Sequence, residues 1–383
     1  MSKDYKMGFS VPLYRGPFQN NGASPWFARV GFGTPAQSLK ICFDTGSDFN
    51  WVTSSLCASD TCHHYGGEQF NFQASNTFRW LSQEPQSVSF GPWGTMEVEA
   101  GQDIVRLQPS SPTSEIDLIS DLYLAQSYSS RHFAELDWDG GIGLPSVVTY
   151  SAKVGGSTEQ AASFHFFESL IQQGKVNPDS PFVGFLTDIP ERQGRLEFGL
   201  LNQAYRDSRE YLFLPWQEYQ ANYLWTTPLL SLSMGGKHLL EAKDGFFFAL
   251  DSGSSQFKGD ENLMNSLLSL AMDKETLSIQ IGETDKGEAG EITVNSTLYD
   301  VLIEEGQDKG QVISQFDPME GADDIALVGS IIMDHLYTLY QYKAELVDKV
   351  WQLKPLGVWI FNKPDGPKII TSRQSKRASL FDA

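Results

Sequence analysis

The sequence predicts an all-β protein made of two similar halves. The phrase Asp-x-Gly-Ser occurs at 44–47 and again at 251–254, about half of the chain apart. Each copy directly follows an apolar run, 39–43 and 246–250, typical of a buried strand. Aromatic residues make up 13% of the chain, which also contains 34 Gly and 18 Pro, a composition that favours short strands joined by turns.

The chain has 383 residues, enough for two domains with a core each. We place the boundary in the polar, turn-rich stretch 188–194, which gives an N-terminal lobe at 1–188 and a C-terminal lobe at 189–383. Alternating patterns predict strands; the segments are 27–32, 96–99, 104–107, 196–198 and 278–281.

Helical patterns are few. We expect a helix at 164–173 with Ser163 as its N-cap, and another at 261–272 capped by Asp260. A third apolar run begins at Ile331. The acidic segment 303–324 is predicted to lie on the surface, and the polar tail 372–383 to be frayed.

The net charge of −20 makes nucleic acid an improbable partner, and it suits either ordinary solubility or tolerance of acidic surroundings. No run approaches the ~20 apolar residues that span a bilayer, so no membrane span is expected. The N-terminus shows no secretory signal. If Met1 is the natural start, we expect a cytoplasmic protein; if the chain is a processed product, it is periplasmic or secreted.

Three cysteines do not make a disulfide scaffold. Cys57 and Cys62 are close enough to close a small loop, which leaves Cys42 single in its strand. His63 and His64 follow directly, but Cys-x4-Cys-His-His lacks a standard zinc spacing, so no metal is expected.

Two carboxylate loops that face each other are a catalytic device. Two carboxyl groups a few ångströms apart do not both ionise readily, because the like charges repel each other, so the pair shares one proton. One member then draws a proton from water while the other donates to a carbonyl oxygen. We expect Asp44 to be nearer the general base and Asp251 to be its partner, although the sequence does not assign the proton. A single Asp-x-Gly-Ser is a common turn; two matched copies favour catalysis.

The residues around each carboxylate suit this role. Turns at Gly46 and Gly253 bring backbone N–H groups to the carboxylate oxygens. The hydroxyl groups are expected to work in pairs: Thr45 and Ser252 bond across to the opposite loop, and Ser47 and Ser254 hold the outer carboxylate oxygens.

An ordered set of motifs resembles the pepsin family of aspartic endopeptidases, from about residue 12 to 360. In the first half these are Gly33-Thr-Pro-Ala-Gln, Phe43-Asp-Thr-Gly-Ser and Trp51-Val. Asp139-Gly-Gly-Ile-Gly-Leu and Leu327-Val-Gly-Ser-Ile-Ile resemble the elements packed beneath the two aspartates.

The resemblance implies two β-rich lobes related by an approximate twofold, with a cleft between them covered by a β-hairpin flap. It implies a monomer that cleaves extended polypeptides between bulky apolar residues, without metal or organic cofactor, and that binds pepstatin-type inhibitors. It also implies a small disulfide loop between Cys57 and Cys62.

The flap is expected within 88–96, where the chain departs from the family. Phe90 stands before Gly91 in place of the usual Tyr, and the tip is one residue longer. The phenol that would bond Trp51 is therefore missing. Trp93 either supplies an indole N–H instead or only packs.

Two further departures concern the specificity pocket and the start of the chain. Cys42 stands where relatives carry an aliphatic residue near the primary pocket, with Trp138 and Gly141 close by; a thiol buried in the core is the alternative. No basic prosegment precedes Val11, as in bacterial pepsin homologues, so we expect a chain that is active as it stands or already processed.

Two other functions fit only part of the pattern. A pepsin-fold peptide- or protein-binding protein with weak or no catalysis fits the altered flap but not the intact loops. A glycosidase with two carboxylates about 5–9 Å apart leaves the duplicated loops unexplained.

Overall fold

The computed structural model describes residues 8–58, 62, 67–110, 115–147, 165–207 and 210–375. Strands account for 51% and helices for 13%, so the predicted mostly-β class is confirmed. In chain order the strands are β1 (Phe9–Arg15), β2 (Trp26–Phe32), β3 (Gln37–Asp44), β4 (Asn50–Thr53), β5 (Arg79–Ser89), β6 (Thr95–Leu107), β7 (Ile116–Tyr128), β8 (Gly140–Gly143), β9 (Phe182–Asp188), β10 (Gln193–Phe198), β11 (Tyr211–Pro215), β12 (Thr226–Met234), β13 (Lys237–Glu241), β14 (Phe247–Leu250), β15 (Phe257–Gly259), β16 (Leu277–Glu283), β17 (Glu288–Val294), β18 (Asp300–Leu302), β19 (Val312–Ser314), β20 (Phe316–Pro318), β21 (Ile325–Val328), β22 (Leu336–Val347), β23 (Val350–Asn362) and β24 (Ile370–Ser375). The α-helices are α1 (Phe166–Gln172), α2 (Gln203–Arg206), α3 (Glu261–Ala271), α4 (Ser296–Tyr299) and α5 (Ser330–Met333).

Within the described residues the strands form one 13-stranded sheet, one 9-stranded sheet and the β18–β19 pair. Strands from both ends of the chain join in the larger sheet, whose order runs β11-β23-β22-β9-β10-β1-β2-β3-β8-β4-β7-β6-β5. The strands β22 and β23 thus extend a sheet begun by the first half. The expected boundary after Asp188 falls in the β9–β10 hairpin, where Asp188 pairs with Gln193.

The two Asp-x-Gly-Ser loops grow from the same local topology. Strand β3 leads to the first loop and pairs in parallel with β8, which pairs antiparallel with β4; β4 then pairs in parallel with β7. Strand β14 leads to the second loop and repeats this parallel, antiparallel, parallel order with β21, β15 and β20. The repeated phrase therefore marks a repeated structural unit.

Apolar packing explains why these central strands are buried on both faces. All four residues of β21 are buried, as a continuous apolar run in a central strand requires. The four residues of β4 are buried as well, although Asn50 and Thr53 are polar. Strand β6 and its neighbour β5 form a long hairpin that projects the segment 89–95 over the carboxylate loops.

The structure differs from the sequence-based expectations in several elements. Helix α1 begins at Phe166, with His165 at the N-cap position, and the expected cap Ser163 lies outside the described residues. The runs 96–99 and 104–107 belong to the single strand β6. The tail is paired as far as Ser375 because β24 hydrogen-bonds to β17, and only 376–383 lie outside the described part.

Helix α3 matches its prediction closely. Asp260 accepts a hydrogen bond from the Leu263 N–H at 2.9 Å, as an N-cap does. Helix α5 is a single turn after Gly329. The acidic segment 303–324 is mostly exposed or half-buried, but it contains β19 and β20. Among the described residues, no helix has the length and apolar character needed to cross a membrane.

Candidate active site

The two carboxylate loops meet at the bottom of a cleft. Asp44 ends β3 and accepts from the Gly46 N–H at 2.7 Å, and Asp251 follows β14 and accepts from the Gly253 N–H at 3.0 Å. The two carboxyl groups also share a hydrogen bond with each other. The fold therefore brings together two aspartates that are far apart in the sequence.

Four hydrogen bonds lock the loops in register. The Thr45 N–H donates to the Ser252 hydroxyl at 3.0 Å, and the Ser252 N–H donates to the Thr45 hydroxyl at 3.0 Å. Each hydroxyl then donates to the strand before the opposite aspartate, Thr45 to the Leu250 carbonyl at 3.1 Å and Ser252 to the Phe43 carbonyl at 2.7 Å. All four groups are buried, so the bonds fix the separation of the carboxylates.

The glycines are required by how closely the loops approach each other. A Cβ atom at Gly253 would lie 2.3 Å from Asp44 Oδ1, and one at Gly46 would lie 2.5 Å from Asp251 Oδ1. Both distances are shorter than contact allows. Any side chain at either position would push the two carboxyl groups apart.

The two halves of the site are not equivalent. The Ser254 hydroxyl donates to Asp251 Oδ2 at 2.6 Å, whereas the buried Ser47 hydroxyl has no hydrogen-bond partner among the described residues. The expectation that Ser47 holds an oxygen of Asp44 is therefore wrong, because symmetric sequence did not give symmetric side-chain directions. Lys258 adds a second difference, with its Nζ 3.4 Å from Asp251 Oδ2.

These contacts give the carboxyl groups of Asp44 and Asp251 different proton affinities. Asp44 remains partly accessible to the cleft, but burial of its carboxyl group and the charge of Asp251 raise its pKa well above the usual range. Burial also opposes ionisation of Asp251, yet Lys258 and the Ser254 hydroxyl, together with Asp44, hold the pKa of Asp251 below its usual range. These contacts favour ionisation of Asp251 before Asp44, whereas the sequence-based expectation made Asp44 the member nearer the general base.

A cavity of about 340 Å³ opens above the pair. One wall is aromatic and comes from the first half of the chain: Phe49, Trp51, Phe90, Trp93, Phe133 and Trp138. The facing wall comes from the second half: Tyr219, Tyr223, Met319, Ile325 and Leu327. The cavity therefore has an acidic floor between two largely apolar walls.

The flap segment covers this cavity from the first half. Phe90 packs edge-on against Trp51, with ring centroids 5.9 Å apart, and against Phe49 at 5.1 Å. Gly91 adopts a left-handed φ of 58° at the tip. Trp93 stacks on His132 with centroids 5.5 Å apart, so it packs against the wall. Phe90 therefore makes aromatic contacts at the position where a tyrosine would make a hydrogen bond through its phenol.

Cys42 lies behind the cleft wall. It is 1% exposed and packs in a cluster with Trp51 and Trp138, so it is a thiol buried in the core, outside the cavity lining. Trp138 lines the cavity and donates its indole N–H to the Ser24 carbonyl at 2.9 Å. Gly141 lies against the Trp51 indole.

The structure joins Cys57 and Cys62 in a disulfide, with Cα atoms 5.9 Å apart. The neighbouring His63 and His64, considered for a metal site, lie outside the described residues.

Some residues of the site were not predicted from the sequence. Lys258 follows Asp251 by seven positions, beyond the repeated phrase. Asp48 lines the cavity, and burial raises the pKa of its carboxyl group. Tyr340 lies beneath the loops and donates to the Leu250 carbonyl at 3.1 Å. Only the position of Asp48, one residue after the phrase, offered a signal in the sequence.

Comparison with known proteins agrees with this geometry. The family model described as eukaryotic aspartyl protease matches residues 25–349. Pepsin A of Bos taurus is 26% identical over 333 residues, covering 85% of this chain and 83% of that protein. Pepsin A of Sus scrofa is 27% identical over 286 residues, covering 75% of this chain and 65% of that protein. The predicted family is thereby confirmed, and the chain belongs to the pepsin-like family of aspartic-type endopeptidases.

Proposed function

We propose that the protein hydrolyses peptide bonds in extended polypeptides through a water molecule activated by Asp44 and Asp251. The observation that carries the proposal is the hydrogen-bonded pair of carboxyl groups on the floor of the cavity. The ionised Asp251 takes a proton from the water, whose oxygen attacks the carbonyl carbon. The protonated Asp44 donates its proton to the carbonyl oxygen. As the resulting tetrahedral diol collapses, Asp44 takes back a hydroxyl proton, the C–N bond breaks, and the amine leaves with the proton that Asp251 took from the water.

The aromatic wall supports a preference for bulky apolar side chains. Phe49, Phe90 and Trp138 present ring faces and edges to the cavity, and burying a side chain of Leu or Phe size there contributes roughly 1.5–3 kcal/mol. The preference itself is part of the proposal. Profiling cleavage sites in a randomised peptide library measures it.

The activity is tested with denatured globin as substrate. We expect the pure protein to cleave globin between pH 3 and 7, and pepstatin to suppress the cleavage, since its hydroxyl group takes the place of the activated water between the carboxyl groups. Cleavage that pepstatin does not affect would contradict the proposed pair. A folded protein that binds pepstatin but cleaves no substrate at any of these pH values would instead be a peptide-binding protein.

The flap offers a milder prediction. Phe90→Tyr adds a hydroxyl group to a ring whose centroid lies 5.9 Å from that of Trp51, and one added hydrogen bond is worth about 0.5–1.5 kcal/mol. We expect kcat/KM on a fixed peptide to change by roughly two- to tenfold. The matched control is Phe72→Tyr, which adds a hydroxyl to a half-buried ring in the Phe78 and Trp80 cluster. Equal kinetics for both variants and the wild type would remove Phe90 from the flap.

A further inference from the structure

Lys258 places a cation inside the cleft. It lies outside the repeated Asp-x-Gly-Ser phrase. It is the middle residue of β15, whose neighbours fix its backbone: Lys258 pairs with Leu327 of β21 on one side and Asp317 of β20 on the other. Its side chain is only 17% exposed, and it lines the same cavity as the carboxylates. The ammonium group is therefore held beside Asp251 by the sheet itself.

The hydrogen bonds around the two carboxyl groups favour the ionised form of Asp251, as the charge of Lys258 does. Asp251 receives the Gly253 N–H on Oδ1 and the Ser254 hydroxyl on Oδ2, the oxygen that faces Lys258. Asp44 receives the Gly46 N–H, and the Ser47 hydroxyl does not turn to it. Donors and cations favour the ionised form of a carboxyl group, so every difference between the halves favours the charge on Asp251.

Other charged groups around Lys258 moderate this effect. Asp317 faces it from β20, and His132 faces Asp317 from the flap side of the cleft. Asp44, Asp48 and Tyr223 line the same cavity.

The elements packed against β15 bring little further charge. On β21 the neighbour is apolar Leu327, and on α3 the Asp260 carboxylate is taken up as a helix cap. Within the described residues, Asp251 is the carboxylate that lies close enough to Lys258 to form an ion pair.

We propose that Lys258 is a positioning residue for the catalytic pair, whose ammonium group holds the negative charge on Asp251 and so leaves the proton on Asp44. This inference rests on the proposed function and adds an electrostatic control to it. The singly ionised pair is the active form. A neighbouring cation makes the first ionisation easier, so Lys258 extends activity to lower pH. It stabilises the second ionisation as well, but less, because Asp44 is farther from it.

The test is the pH profile of Lys258→Met, which keeps the length of the side chain and removes its charge. On a peptide without ionisable side chains, we expect the acid limb of kcat/KM to move up by roughly one pH unit or more and the alkaline limb to move up less. Lys258→Arg should restore the wild-type acid limb. Lys274→Met is the matched control, since Lys274 is exposed and pairs with Asp300 away from the cleft.

A second readout does not depend on activity. Carboxyl ¹³C NMR of aspartate-labelled protein, assigned with Asp44→Asn and Asp251→Asn, should show Asp251 titrating at higher pH in Lys258→Met than in the wild type. Unchanged limbs together with an unchanged Asp251 titration would overturn the role of Lys258. A shifted titration in a protein without peptidase activity would overturn the proposed function and keep the electrostatic role.

Discussion

Replacing Asp251 with asparagine should lower kcat/KM on a peptide substrate by roughly 10²- to 10⁴-fold, and replacing Asp44 should do the same. Asparagine keeps the size of the side chain, and its oxygen still accepts from the Gly253 or Gly46 N–H. What it removes is the base in one case and the acidic proton in the other. Because the four cross-loop bonds involve Thr45 and Ser252, the loops themselves should stay in place.

The measurement combines steady-state kinetics with circular dichroism and a thermal melt. Asp117→Asn is the matched control, because Asp117 lies on the surface in an ion pair with Arg106. We expect that control to retain wild-type kinetics. If either dyad variant remains folded and cleaves as fast as the wild type, the catalytic pair is not Asp44 and Asp251.

The paired loops could be predicted because local pattern carried all that was needed. An apolar strand, an aspartate and a glycine specify a carboxylate on a tight turn, and two copies specify a pair. The cross-loop bonds of Thr45 and Ser252 followed from the same symmetry. The glycines were assigned to turns for their N–H groups, and the structure adds that a Cβ at Gly253 would meet Asp44.

The asymmetry of the pair could not be predicted in this way. Ser47 and Ser254 occupy equivalent positions in the phrase, but only Ser254 turns to its aspartate, and rotamers depend on packing that the pattern does not contain. Lys258 reaches Asp251 because β15 runs back beside β21, a tertiary pairing. The protonation order was therefore inferred only from the assembled site.

Sheet order was also beyond the sequence. Alternation identifies a strand but not its partner, so β22 and β23 were not expected to extend a sheet begun by β9 and β10. The C-terminal tail is a second example of pairing that the residue pattern did not predict. Its polar residues suggested fraying, yet β24 is an edge strand, where polar side chains face water while the backbone pairs with β17.

Leucine in place of His165 should make the fold more resistant to acid. His165 is 1% exposed, its ring lies 5.5 Å from that of Tyr342, and neither ring nitrogen has a hydrogen-bond partner among the described residues. Burial lowers the pKa of His165 to about 3, whereas an unfolded chain has a histidine pKa of about 6.5. The unfolded state therefore binds the proton first, and the folded state loses stability as the pH falls below about 6.5.

The size of the effect follows from the two pKa values. At pH 4.5 the neutral, buried His165 costs about 2–3 kcal/mol of unfolding free energy relative to pH 7. Removing the imidazole should remove that part of the acid sensitivity. His335, whose pKa burial lowers to about 4, acts in the same direction, and Asp334, whose pKa burial raises to about 6, acts in the opposite one. Both are unchanged in the variant, so the difference between the two proteins isolates His165.

Urea unfolding followed by tryptophan fluorescence at pH 7 and pH 4.5 measures the effect. We expect the gain in unfolding free energy of His165→Leu over the wild type to be larger at pH 4.5 than at pH 7 by about 2–3 kcal/mol. His238→Leu is the control, since that side chain is exposed and its substitution removes no buried imidazole. If wild type and His165→Leu lose stability in parallel between the two pH values, His165 is not the neutral buried group described here. The acid sensitivity of the fold would then arise from other groups, among them His335, whose pKa burial also lowers.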